Sequence, residues 1–507
     1  MPDRLDDQGA LDPEFDSSEA AEDAYDRYDS GDRDIEPADV ADPDAAVEFD
    51  PVLEAQALGE LQGVEARLNQ RWGENKIAPS LERISALLNL IGEPHQTYPV
   101  LQVSGTNGKG STARMIDALL TRMGLRVGRY TSPHLQVVTE RISVDGSPIR
   151  PSKYVEIYRD LEPFIDMVDG ARAADAPVMT KFEVLTGMAF AAFADAPVDV
   201  AVLEVGMGGT WDATNVADAQ VAAITPIGLD HIDYLGPDLS AIAREKAGII
   251  KSGSVAVIAE QDPDVLRVIL ERAVEMDATV ARAGQEFGVL EREIAVGGQL
   301  LKLQGLGGVY EQIFLPLHGE HQAGNAALAL ATVEAFFGAG KDRQLVLDAV
   351  REAFAGVIAP ARLEPVRAAP TVLLDSAHNP HAARALASTL DSEFAFRRLA
   401  VVLGVLDDKD ARGILEALEP VVSDVVITRN SSPRAMDPEV LAELAVFVFG
   451  EDRVVVEPRL DTAVETAVAL VEQSGDPEEP ISGGGVLITG SVVTAGEARA
   501  LFGKEPA

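Results

Sequence analysis

"LQVSGTNGKGST", residues 101–112, decides how the rest of the chain is read. A strand-like run reaches Gly105, Gly108, Gly110, Lys109 and the Ser111–Thr112 hydroxyl pair within eight positions. A strand that ends in glycine ahead of a helix lets successive backbone N–H groups converge on an anion, and the helix N-terminus adds partial positive charge. In that geometry Lys109 neutralises the outer phosphates of a nucleotide, and the Ser111 or Thr112 hydroxyl can ligate magnesium. The spacing departs from G-x-x-x-x-G-K-[ST]: Val103 stands where the first glycine belongs, and Gly110 separates Lys109 from Ser111. By itself the pattern supports a nucleotide loop and an ordinary glycine-rich turn equally.

Context comes from the strands that follow. "VDVAVLEVG", "VAAITPIG", "SVAVIAE", "TVLLDSA", "LAVVLGVL", "DVVITR" and "GVLITGS" alternate with Ala, Leu and Glu-rich stretches, the order expected of strand–helix–strand units in a parallel sheet covered on both faces. Open parallel sheets bind ligands beyond the carboxyl ends of their strands. Three successive strand ends carry Glu204, Asp212, Asp230, His231, Glu245 and Lys246, and carboxylate oxygens with an imidazole beside a triphosphate suit magnesium. Strands before and after about residue 360 form two sheets; "GNAALALATVEAFFGAG" reads as a helix closed by glycine, and residues 286–317 as a small β excursion on the first domain.

At 507 residues and 47% hydrophobic content, the chain has room for two or three domains. No run of about 18 apolar residues is present, and the acidic N-terminus lacks the basic-then-apolar order of a signal peptide, so the chain reads as cytoplasmic. It has no cysteine, and disulfides give no information. A net charge of −41, with 42 basic against 83 acidic residues, argues against nucleic acid. Residues 1–50 hold 19 Asp or Glu and three Arg, with few large apolar groups, and read as an acidic disordered tail, a docking arm being the other reading.

"SGTNGKGST", "YTSPHL", "KFEVLTGMAF", "LEVGMGGTWDATN", "IGLDHIDYLG", "IAREKAGIIK", "HQAGNAALAL", "ARLEPV" and "DSAHNPHA" occur in the order seen in folylpolyglutamate synthases and bifunctional dihydrofolate synthases. The chain resembles that family, part of the Mur ligase superfamily of ATP-dependent amide-forming enzymes, over about residues 51–503. The resemblance implies an α/β fold: an N-terminal P-loop-type parallel-sheet ATPase domain over residues 51–358 and a smaller C-terminal Rossmann-like α/β domain over 359–507 that binds glutamate. It implies ATP, folate and L-glutamate as small-molecule partners, a monomer, and an acyl phosphate on the folate carboxylate that the glutamate amine displaces. Whether dihydropteroate is also a substrate stays open.

Carried over motif by motif, Gly105, Thr106, Asn107, Gly108, Lys109, Gly110, Ser111 and Thr112 cradle the phosphates, with Asn325 on adenine and Arg362 and Asp375 also on the nucleotide. The resemblance gives Glu204, His231, Lys246 and a hydroxyl, Ser111 or Ser132, to magnesium and implies two ions, with Lys246 carbamylated or, on the plainer reading, unmodified and paired with Glu245 or a phosphate. Ser132, Pro133, His134, Phe182 and Asp212 match folate-contacting stretches, although Phe182 reads equally as core. His378 and Asp375 reach the reaction centre, His378 either deprotonating the incoming amine or positioning it. Lys409, Ser432 and Arg434 suit the carboxylates of glutamate. Where the family reads P-G-R-L-E, this chain has "PARLE", with Ala361 in place of glycine. Two rival readings are a Mur-type cell-wall amino-acid ligase and a non-catalytic nucleotide switch, which would hydrolyse nucleotide without folate or glutamate.

Overall fold

The structure, a computed structural model, describes residues 51–72, 78–338, 340, 343–472 and 483–506. The acidic segment 1–50 lies outside the described residues. The first sheet contains β1 (Val100–Ser104), β2 (Val127–Tyr130), β3 (Ile142–Val144), β4 (Ser147–Pro148), β5 (Val200–Glu204), β6 (Val221–Ile224), β7 (Val255–Ile258) and β8 (Thr279–Arg282). Their order is β4-β3-β2-β5-β1-β6-β7-β8, with β1 at the centre. All pairs are parallel except β2 with β3 and β3 with β4, which add an antiparallel edge to the expected parallel sheet.

Residues on alternate sides of each central strand go to different cores, as the two-residue period of a strand requires. Leu101, Val103, Val200 and Val202 pack with Met115, Ile116 and Leu119 of helix Lys109–Arg122 and with Leu328 of helix Glu320–Phe336. Val100, Ala201 and Leu203 face the other way, onto Leu87 and Phe190. With both faces covered, β1 and β5 read as continuous apolar runs because water reaches neither side. Each such fully buried Val, Leu or Phe contributes roughly 1.5–3 kcal/mol, and the burial fixes where the strand ends lie.

Strands β9 (Gly288–Ala295), β10 (Gly298–Gln304) and β11 (Val309–Leu315) form a separate antiparallel sheet, which is the β excursion expected over 286–317. A second large sheet holds β12 (Glu364–Ala368), β13 (Thr371–Leu374), β14 (Arg398–Leu403), β15 (Asp424–Ile427), β16 (Val454–Val456) and β17 (Gly484–Thr489), in the order β12-β13-β17-β14-β15-β16. It is parallel apart from β12, and helices cover both faces.

Residues 356–363 cross from one sheet to the other, and Ala361 and Leu363 there adopt left-handed backbone, φ 53° and 48°. The family's glycine would take that conformation freely, whereas an L-residue in it costs about 1–2 kcal/mol. Away from the crossing, the excursion also touches the second sheet's layer. Glu393, at the end of helix Pro380–Glu393, accepts from Gly319 N and His318 Nδ1 at 2.9 Å each and pairs with Arg292 of β9. No described helix is long and apolar enough to cross a membrane.

Candidate active site

The loop after β1 rests on the loop after β6. Thr106 N donates to Pro226 O at 3.1 Å, and the Thr106 hydroxyl and Gly228 exchange bonds of 3.0 Å. Gly105 (φ 142°) and Gly108 (φ 90°) are required at their positions: a Cβ on Gly105 would come within 1.9 Å of Thr225 Oγ1, and one on Gly108 within 2.6 Å of Asn325 Oδ1. Gly108 then caps helix Lys109–Arg122, whose first-turn amides have no partner within the helix. Lys109 Nζ folds over the loop onto the Gly105 and Thr106 carbonyls, both at 3.1 Å. Ser111 is buried and accepts from Gln322 Nε2 at 3.4 Å, while the buried Thr112 hydroxyl has no partner among the described residues.

Asn325 sits inside helix Glu320–Phe336, donates to Gln322 Oε1 at 3.1 Å and backs Gly108. Glu204, at the end of β5, is buried beneath Gly110 and accepts from Ser132 N at 3.2 Å. Burial pushes its carboxyl up, with Lys109 pulling the other way. Lys246 is 4% exposed and donates to Gly105 O at 2.7 Å, while Glu245 accepts from Trp211 N at 3.4 Å; the Lys246–Glu245 pairing of the plainer reading is replaced by a bond to the loop. Burial, reinforced by Lys109, brings the Lys246 ammonium down to about 7. His231 has left-handed backbone, φ 52°, and burial lowers its imidazole to about 4 against the pull of Asp230. Among the described residues no group of three or more His, Asp or Glu stands ready-made around a metal ion.

A cavity of about 390 Å³ opens beside this loop, lined on one side by Ser132, Pro133, Phe182, Trp211 and Asp212 and on the other by His378, Lys409 and Arg434. Phe182 is half-buried: its ring lies 6.0 Å from that of Tyr130 and against Gly206, where a Cβ would meet it at 2.5 Å, so it floors the cavity and is not enclosed core. Asp212 is buried, and its oxygens accept from Met207 N, Thr214 N and the Thr214 hydroxyl at 3.0, 3.0 and 2.6 Å. A further backbone bond from Gly206 completes this set, which fixes the carboxylate at the cavity wall. His134 turns from the cavity and accepts from Arg141 Nε at 2.9 Å. Ser432 is likewise held in its own turn, accepting from Arg434 N at 3.2 Å.

The second sheet's strand ends complete the site. Asp375, whose carboxyl burial pushes up, accepts from Ala377 N at 2.8 Å and Leu363 N at 3.0 Å, tying the crossing segment to β13. Arg362 donates to Ala361 O at 2.9 Å and to the Ser376 hydroxyl. His378 Nδ1 lies 2.9 Å from Ser376 O, which can only accept, so Nδ1 carries the proton and Nε2 of the neutral ring presents a lone pair to the cleft. Polar contacts bridge the walls, among them Lys409 Nζ to Asp230 at 2.9 Å, Asn379 Nδ2 to Asp230 at 3.0 Å and to Asn107 at 3.1 Å, and Asn107 to His381 at 2.7 Å. Asn379 and His381 were not singled out from the sequence, although "HNPHA" contains both. Trp211, Tyr234 and Arg83 also line the cavity without having been assigned.

Residues 103–333 match the Mur ligase middle domain and residues 361–492 the Mur ligase glutamate ligase domain. The dihydrofolate synthase/folylpolyglutamate synthase of Mycobacterium tuberculosis is 57% identical over 478 residues, covering 92% of this chain and 98% of that protein. The Escherichia coli protein of the same description is 37% identical over 365 residues, covering 72% and 80%. Among solved structures, Mycobacterium tuberculosis folylpolyglutamate synthase complexed with ADP superposes with a TM-score of 0.85 at 57% identity, covering 89% of this chain and all (100%) of that one. E. coli FolC in complex with DHPP and ADP gives 0.75 at 32% identity, covering 88% and 98%. With this fold and these matched stretches, the chain belongs to the dihydrofolate synthase/folylpolyglutamate synthase family of Mur ligases.

Proposed function

We propose that this protein is an ATP-dependent ligase that adds L-glutamate to the γ-carboxylate of a reduced folate, giving a longer folylpolyglutamate, ADP and phosphate. The observation that carries this reading is the cavity beside the nucleotide-type loop: Phe182, Trp211 and Asp212 give it an aromatic, polar-edged side, and Lys409 and Arg434 a cationic one. A carboxylate is a poor electrophile. Transfer of the γ-phosphoryl group to it makes an acyl phosphate; the glutamate amine then attacks the carbonyl carbon, and phosphate leaves with the bonding pair. Such chemistry asks for alignment and charge neutralisation more than for a protein nucleophile.

Gly105 to Thr112 hold the phosphates with Lys109 on the outer ones, Asn325 meets adenine, and Arg362 and Asp375 close on the nucleotide from the crossing segment. Phe182 stacks on the pterin, Asp212 meets its amino edge, and Ser132 and Pro133 frame it, with His134 supporting that loop through Arg141. Lys409 and Arg434 take the carboxylates of glutamate, with Ser432 fixing the turn that carries Arg434. His378 Nε2 accepts the proton of the incoming ammonium, which must be neutral to attack.

The donor set fits magnesium. Glu204 is a buried carboxylate whose oxygens lie against Gly110 of the loop and next to Ser132, Ser111 belongs to the loop itself, and with His231 the donors are mainly oxygen. When bound, magnesium neutralises phosphate charge. An ammonium near pH 7 in its affinity for protons leaves Lys246 largely neutral above that pH, which is the form that takes up CO₂ to become a carbamate and support a second ion. We read the protein as a cytoplasmic monomer.

The test supplies purified protein with ATP, magnesium and glutamate, and compares tetrahydrofolate with dihydropteroate as acceptor. ADP release that needs both glutamate and one of these acceptors is expected; release with neither present overturns the ligase reading.

A further inference from the structure

Asp230 has no role in the phosphate, folate or glutamate contacts above, yet it is the most heavily bonded carboxylate between the two walls of the cleft. It follows β6 on the first wall, two residues after Gly228, which is bonded to the phosphate loop. Oδ1 accepts from Lys409 Nζ at 2.9 Å and from His231 N at 2.9 Å; Oδ2 accepts from Asn379 Nδ2 at 3.0 Å and lies 3.9 Å from His378 Nε2. The Asp230 and Lys409 side chains are only 11% and 8% exposed. Lys409 has a long, flexible stem and three donors, so without a fixed partner its ammonium would sample many positions at an entropic cost on binding. One donor is committed to Asp230, which leaves the other two directed by that bond along the cavity wall.

Building on the ligase reading, we infer that Asp230 is a positioning residue for the incoming glutamate: from the opposite wall it holds the Lys409 ammonium in the orientation that receives a glutamate carboxylate. Asn379 carries the same registration to the phosphate loop. It caps helix Pro380–Glu393 and donates to both Asp230 and Asn107 Oδ1, the latter at 3.1 Å. The glutamate end and the ATP end are thereby set by one chain of four polar side chains.

Asp230→Asn isolates the claim, because the amide oxygen still accepts from Asn379 while the anion facing Lys409 is lost. Steady-state KM values for glutamate, ATP and folate, and the magnesium concentration at half-maximal rate, are measured for wild type and variant, with thermal unfolding as the check on folding. The expected result is a rise of about tenfold to a hundredfold in the KM for glutamate, the size of a lost charge-assisted hydrogen bond, with the other three constants within about threefold. In a Lys409→Met background the same substitution should change the glutamate KM by less than about threefold, since the group it positions is gone. An unchanged glutamate KM, an equal rise in all constants, or the full effect retained in the Lys409→Met background overturns the inference. A wild type that releases no ADP on addition of glutamate overturns the ligase reading instead.

Discussion

The two walls of the cleft secure anions by different means. On the phosphate-loop wall, position is set by backbone: Gly105 and Gly108 stand where any Cβ would strike Thr225 or Asn325, and the loop's amides are fixed before a ligand arrives. On the facing wall, position is set by side-chain pairing: Arg434 is held by its neighbour Asp408 at 3.1 Å, and Lys409 by Asp230 reaching across from the first wall. A backbone cradle tolerates almost no substitution and discriminates little among phosphates. A side-chain network can be retuned one residue at a time, which suits the wall proposed to meet the amino acid.

The sharpest way to break this contrast is Lys109→Ala. Its Nζ bonds loop carbonyls of its own wall, so the fold should persist while glutamate-dependent ADP release falls by roughly 10²–10³-fold, measured by a coupled ADP assay. Near-normal turnover would show that the loop's backbone alone suffices. Arg362→Ala comes next. It leaves Asp375 holding Leu363 N, so the thermal midpoint should move little, whereas turnover should drop about 10²-fold through misaligned closure.

The smallest effect sharpens the electrostatics of the first wall. Lys246 is depressed to about 7 in the folded protein from 10.5, so between those values the unfolded chain binds a proton that the folded chain does not. Stability should therefore rise with pH from about 7 toward 10 and lose that gain as pH falls toward 7. In CO₂-free buffer, urea midpoints at pH 7 and pH 9 should differ more for wild type than for Lys246→Met; parallel behaviour would place the lysine in water.

Much of the frame was legible. The eight quoted strands are all present, because a strand covered on both faces must be apolar throughout and stops at glycine or proline. The β3–β4 edge was passed over although its turn, Asp145 and Gly146 at φ 52° and 77°, is an Asp-Gly signal of the hairpin type. β16, three valines long, is too short to announce itself. In the candidate site, the glycine-rich turn was legible because neighbouring residues make it, whereas the Lys409–Asp230 pair joins positions 179 residues apart and exists only once two sheets face each other. The same limit hid His134 turning to Arg141 and Ser432 turning into its own loop, since side-chain direction is not written in a motif.

Glu393 gives the small three-stranded sheet a mechanical meaning. Its side chain is 1% exposed and is grasped by Arg292, His318 and Gly319 on the far flank of the cleft. The two lobes are thus fastened at a point away from the reacting groups as well as through the crossing segment, and the small sheet, which lines no part of the cavity, serves as the anchor for that fastening.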